Sequence, residues 1–223
     1  MQSKRSKKKR YRPLFGFCVG LLRLFGKKRK TEGCVPNDSC IFLCRHLDEK
    51  GVIASFSGIK TVMRPWVLDV FMQYGTAKKQ FKEYTFSVRK KKGKAYCEVM
   101  STLAGWGYSK LMKSARGIPV YRGEKSSQSI TTIKKSVRAL EDGDNIIIYA
   151  DVDYADTSDS QTGEIYVGYK LVDKMYYRRN GKHIPFVPVY INDSKIVLHE
   201  PLFFDGDDSE TIEKIRRKMF NAS

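Results

Sequence analysis

The chain has 223 residues, enough for one domain with a substantial core and too few for two large ones. Its hydrophobic (41%) and charged (30%) fractions are ordinary for a globular protein, but its net charge of +18 is not. Five cysteines, odd in number and unevenly placed, exclude a disulfide framework and fit reduced thiols inside a cell.

The charge is unevenly spread. Twelve lysines and arginines lie between Lys4 and Lys30 with no acid among them, and the remaining thirty bases exceed the twenty-four acids by only six. Within that basic segment, Leu14 to Phe25 is apolar apart from Arg23. A bilayer span takes about 20 apolar residues, so this run is too short and is expected to lie in the interface. Its Leu and Phe side chains would insert among acyl chains, and each flanking base would add on the order of 1 kcal/mol on an anionic leaflet. A secretory signal would continue into a small-residue cleavage site, whereas Lys27 to Lys30 follow here. A nucleic-acid arm has use for the bases but none for the apolar run, so no nucleic-acid partner is expected. The expected organisation is a membrane-surface anchor over residues 1–33 and a folded domain over residues 34–223. The protein is expected at the cytoplasmic face of the cell membrane, as a peripheral protein.

Ser39 to His46 is predicted as the first strand of the domain, with Ile41, Phe42 and Leu43 as its core and Cys44-Arg45-His46 at its carboxyl end. Cys34, Cys40, Cys44 and His46 lack a Cys-x2-Cys knuckle, so no metal site is expected. His46 is the candidate catalytic base, since imidazole titrates near the working pH, and Asp48 and Glu49 are the nearest acids. Val62 to Ser114 is predicted as helical, opened by Pro65 and carrying Trp66, Val67, Val70 and Phe71 on one face. A second helix from about Tyr96 to Lys113 carries Val99, Leu103, Trp106 and Leu111. These apolar faces either cover the sheet or form a groove for an acyl chain. The basic run Arg89 to Lys94 reads as a solvated turn, or as a second basic contact with the same membrane.

Gly117 to Ile191 reads as a strand-helix-strand-loop-helix-strand unit. Its first strand, from Gly117, ends at Arg122-Gly123. Ile130, Ile133, Val137 and Leu140 give the helical period of a helix ended by Gly143. Asn145 to Tyr149 is a β-branched run of the kind buried on both faces, expected parallel to the first strand and ending at Ala150-Asp151. Ligands of parallel sheets bind beyond the carboxyl ends of strands, so Arg122 and Asp151 are candidates for one shared site. After a loop from Asp156 to Gly163, a helix from Ile165 to Arg179 and a strand from His183 to Ile191 follow. Pro185 and Pro188 mark that last strand as an edge or an irregular one. His183 and His199 read as structural or exposed, and Ser209 to Phe220 as a short amphipathic helix used for packing. The fold class expected is α/β, with a mostly parallel central sheet flanked by helices and an N-terminal membrane-associating helix.

In order and spacing, these blocks over roughly residues 40–205 resemble the glycerophosphate and lysophospholipid acyltransferase family. Ile118 to Arg122 looks like the family's strand ending in arginine, Phe186-Val187-Pro188-Val189 like its valine-proline block, and Tyr149-Ala150-Asp151-Val152 occupies the place of its Phe-Pro-Glu-Gly block. The family's His-x4-Asp block begins here at His46, but its fifth following residue is Gly51, so either Asp48 has taken over the orienting role or the dyad is broken. The resemblance implies an O-acyltransferase in which His46 deprotonates an acceptor hydroxyl, Arg122 holds the acceptor phosphate and Asp151 binds acceptor hydroxyls. It implies a lysophospholipid or glycerol-phosphate acceptor, an acyl-CoA or acyl carrier protein donor, and no other cofactor. No Gly-x4-Gly-Lys, Gly-x-Gly-x-x-Gly or Gly-x-Ser-x-Gly motif is present, which sets aside nucleotide and serine-hydrolase chemistry and favours direct transfer. Divergence at the first and third blocks leaves a second reading, a non-catalytic relative that keeps the fold and binds anionic lipid or a partner.

Overall fold

In the computed structural model, the described residues are 10–47, 49–121, 126–151 and 168–221. Seven strands form a mostly parallel sheet: β1 (Lys30–Glu32), β2 (Ile41–Cys44), β3 (Met63–Leu68), β4 (Ile118–Val120), β5 (Asn145–Tyr149), β6 (Phe186–Ile191) and β7 (Lys195–Leu198). Their order is β1-β7-β6-β2-β5-β3-β4. The helices are α1 (Pro13–Phe25), α2 (Glu49–Gly58), α3 (Tyr74–Gln80), α4 (Lys94–Ser114), α5 (Ser126–Glu141), α6 (Lys170–Asn180) and α7 (Asp208–Phe220). The α/β class with a mostly parallel sheet is therefore as expected.

The chain divides into two compact units, residues 18–64 with 133–221, and residues 10–17 with 65–132. In the first, β2 is central, parallel to β5 on one side and to β6 on the other. Every residue of β2 and Ile146, Ile147 and Ile148 of β5 are buried, which is why these strands read as unbroken apolar runs rather than alternating ones. Each such side chain contributes about 1.5–3 kcal/mol of transfer free energy. α2 and α7 pack against β6. β1 runs parallel to β7, so Lys30 to Glu32, counted with the anchor from sequence, are part of the sheet.

Three expectations change. β6 is neither edge nor irregular: it lies between β2 and the antiparallel β7. Pro188 fits because the residue opposite it is His199, one past the end of β7, whose N–H donates to the Pro188 carbonyl at 3.0 Å. The missing donor thus falls where the ladder ends. Second, Met63 to Leu68 is a strand, not the start of a helix. Met63, Pro65 and Val67 are buried in alternation with Arg64, Trp66 and Leu68, a period of two that the proline disguises. Third, Ile130, expected on the buried face of α5, is exposed, while Ile133, Val137 and Leu140 of that face are buried.

The second unit contains β4, which pairs in parallel with β3, and the helical segment that follows β3. There Asp69–Phe71 forms a 3-10 turn, and α3 runs into a π-helix over Phe81–Arg89. α4 is a helix as expected, but it buries Cys97, Ser101, Gly105, Ser109 and Met112 and turns Val99, Leu103 and Trp106 to solvent. In α1, Phe15 and Val19 are buried, whereas Leu14, Phe17, Leu21, Leu24 and Phe25 are exposed. No helix among the described residues is long and apolar enough to cross a membrane.

Candidate functional site

The carboxyl ends of β2 and β5 carry the densest polar chemistry in the first unit. Cys44 is in register with Tyr149, so the two chains leave the sheet side by side, one into Arg45-His46 and the other into Ala150-Asp151. The ladder continues one step, with the Ala150 N–H donating to the Cys44 carbonyl at 3.0 Å. Asp151 Oδ1 then accepts from the His46 backbone N–H at 2.7 Å. Two of the sequence-predicted site residues therefore meet, through a carboxylate and a backbone amide rather than through a carboxylate and an imidazole.

The imidazole itself lies edge-on to Tyr149, with ring centroids 5.5 Å apart. Tyr149 is held in turn by a 2.7 Å hydrogen bond between its hydroxyl and that of the fully buried Ser55 on α2. The turn after His46 is tight. Leu47 takes a left-handed conformation (φ 46°), which for a branched apolar residue costs on the order of 1 kcal/mol. The first turn of α2 closes against it, with the Gly51 N–H donating to the His46 carbonyl at 3.1 Å. A Cβ at residue 51 would stand 2.3 Å from the Arg45 carbonyl oxygen and 2.6 Å from that of His46. Glycine is thus required at the place where the resembling family has its aspartate, and no side chain fits there on this backbone.

Arg45 was missed by sequence reasoning, which treated it as the flank of His46. Its guanidinium sits 4.1 Å from the centre of the Phe220 ring at the end of α7. Desolvation lowers its pKa from the ordinary value, opposed by the charges of Asp151 and Tyr190. An arginine at a strand end is a recognisable signal, but its contact with Phe220 depends on long-range folding. Cys44 is fully buried, and burial first, then the Asp151 charge, pushes its thiol well above the usual range. Burial likewise pushes Cys40 up to about 12. Neither is suited to act as a thiolate nucleophile, and among the described residues this end of the sheet brings together an imidazole, a carboxylate and a guanidinium.

Asp48 and Arg122 lie outside the described residues, as do Val152 and the loop from Asp156 to Gly163. His183, read as structural or exposed, is partly buried at the opposite end of the sheet. Its Nδ1 is 2.8 Å from Oδ2 of the buried Asp173, whose Oδ1 accepts from the Ile184 N–H at 2.9 Å. It borders a cavity of about 430 Å³ lined also by Ser39, Tyr176, Lys182, Pro185 and Phe203. No group of His, Cys, Asp and Glu among the described residues could hold a metal ion. Comparison with protein-family models, with curated proteins and with solved structures finds no match to this chain.

Proposed function

We propose that the protein is a membrane-associated O-acyltransferase that moves an acyl group from an acyl thioester to a hydroxyl of a lysophospholipid or glycerol-phosphate-like acceptor. The observation that supports it is the junction of His46 and Asp151 at the carboxyl ends of adjacent parallel strands, where ligands of such sheets bind. His46 takes the proton of the acceptor hydroxyl as that oxygen attacks the thioester carbonyl. The tetrahedral intermediate then expels the thiolate of CoA or of a carrier protein, which recovers the proton from the imidazolium. Asp151 holds the His46 backbone in place, and Arg45 joins Arg122 as a cation for the acceptor phosphate. The exposed Leu14, Phe17, Leu21 and Leu24 of α1, flanked by bases, support work at an anionic membrane surface, where acceptor and product would reside.

One observation favours a second reading, a lipid-binding protein without turnover. Gly51 leaves no room for the aspartate that orients the histidine in the resembling family. The deciding experiment measures transfer of radiolabelled acyl groups from acyl-CoA and from acyl carrier protein to lysophospholipids and glycerol phosphate, with the protein on anionic vesicles. Turnover that disappears in His46→Ala is the expected result. Absence of turnover on every acceptor, with vesicle binding intact, would establish the second reading.

A further inference from the structure

α4 is built inside out. On a helix packed against a water-soluble core, large apolar residues face inward and polar ones outward. Here the buried positions are Cys97, Ser101, Gly105 and Ser109, at steps of four, while Val99 (61%), Leu103 (61%) and Trp106 (57%) stand exposed, along with Tyr96 (45%). The small buried side allows α3 to approach closely: a Cβ at Gly105 would stand 2.8 Å from the backbone nitrogen of Lys78. The buried hydroxyls are satisfied within the helix, Ser101 donating to the Glu98 carbonyl at 3.0 Å and Ser109 to that of Trp106 at 3.1 Å. Close packing through small residues with large apolar groups outward is the arrangement of helices whose outer solvent is hydrocarbon.

The outer stripe is also finished as an interfacial one. Tyr96, Val99, Leu103 and Trp106 follow one another at steps of three, four and three, a single line along the helix. A lysine lies over the aromatic ring at each end, Lys92 Nζ at 5.9 Å from the Tyr96 ring and Lys110 Nζ at 4.0 Å from the Trp106 ring. From Lys82 to Lys113 there are eight bases and two acids, and one of those acids, Glu98, is held by Lys78 and Lys82. Those contacts bring its carboxyl down to about 2, so it stays paired at neutral pH. Amphipathic aromatics at the ends of an apolar line, covered by cations, match the depth profile of a bilayer surface with anionic headgroups.

We propose that the outer face of α4 is a second membrane-docking surface, lying in the plane of an anionic bilayer with Val99, Leu103 and Trp106 among the acyl chains. It is distinct from α1 and does not depend on acyl transfer, so loss of the enzymatic reading leaves it standing. The two tryptophans of the chain, Trp66 and Trp106, make it testable by fluorescence. In full-length Trp66→Phe, Trp106 emission is expected to shift to the blue on phosphatidylglycerol vesicles and to be quenched by lipids brominated on the acyl chain, but not by vesicles of phosphatidylcholine at high salt. Because Trp66 lies in a strand, the reciprocal variant guards against misfolding. Trp106→Phe, altered at an exposed position, should lose the quenching that the wild type shows. Leu103→Lys should weaken vesicle partition by about tenfold or more. Vesicles that bind the protein while Trp106 emission stays unchanged and unquenched would overturn the proposal, as would an absence of vesicle binding. A blue shift that follows protein concentration without lipid would also overturn it, and would assign the face to contact between copies of the chain.

Discussion

The two ends of the first unit's sheet each hold a histidine and an aspartate, and the pairs are built in opposite ways. At the amino end of β6, His183 and Asp173 have the geometry usually sought in a catalytic dyad, imidazole to carboxylate at 2.8 Å. Yet Asp173 spends its other oxygen on the Ile184 N–H, and the His183 ring is stacked on Tyr177 at 4.3 Å. The Asp173 contacts tie the first turn of α6 to the segment that leads into β6, as a brace does. At the carboxyl ends of β2 and β5, Asp151 accepts from the backbone N–H of His46, and the His46 ring lies edge-on to Tyr149. The better-formed dyad is therefore at the end of the sheet where a parallel fold does not ordinarily bind its ligand. Side-chain pairing alone does not mark a catalytic histidine; what surrounds the pair, and which end of the strands it occupies, decides.

The sharpest way to break this contrast is to exchange the roles. His46→Ala is expected to lower turnover by about 10²–10⁴-fold, the range for loss of a general base, while His183→Ala leaves kcat nearly unchanged. Loss of turnover in His183→Ala with His46→Ala active would move the site to the amino end and its cavity. Next in size is Gly51→Asp, which puts an aspartate where the family that the sequence resembles has one. Because its Cβ would run into the Arg45 and His46 carbonyls, the variant should lose about 1–3 kcal/mol in a denaturant titration and gain no activity. A gain in turnover at unchanged stability would show that the turn relaxes and that the dyad can be rebuilt. Asp173→Ala should cost about 1–3 kcal/mol by leaving the Ile184 N–H and the His183 ring without their acceptor, with turnover per folded molecule retained.

Much of this architecture was legible in the sequence, for a physical reason. β2, β5 and α5 carry their burial in a run or a period that no long-range contact has to supply, so Ile41 to Leu43, Ile146 to Ile148 and Ile133, Val137 and Leu140 all read correctly. β3 was not legible because Pro65 is at once a helix-opening residue and one of its three buried positions, and a single chain does not say which use prevails. β6 was misplaced because the cost of Pro188 depends on where β7 ends, ten residues further on. α4 is legible as a helix, but its packed side is not, because serine and glycine hold that side while Val99, Leu103 and Trp106 face outward. At the site, the sequence puts His46 and Asp151 each at the carboxyl end of a strand, and the structure sets those two strands side by side. That they meet through a backbone amide follows from the register of β2 on β5, which has no local signature.

His199 supplies the smallest test. It is largely buried beside Pro188, with Nε2 3.2 Å from the Asn221 carbonyl. Burial, aided by the nearby charges of Lys218 and Lys195, lowers its pKa, although hydrogen bonds to the Asn221 and Lys218 backbone act the other way. A folded-state pKa below the unfolded value means that the unfolded chain binds the proton first as pH falls. The contribution to stability is therefore present above the ordinary histidine pKa of about 6.5 and is lost as pH drops through and below it. Thermal unfolding between about pH 7.5 and 5.5 should show a lower midpoint at the acid end, and His199→Gln should flatten that slope. If the slope persists in His199→Gln, the acid sensitivity does not come from His199 and this linkage fails.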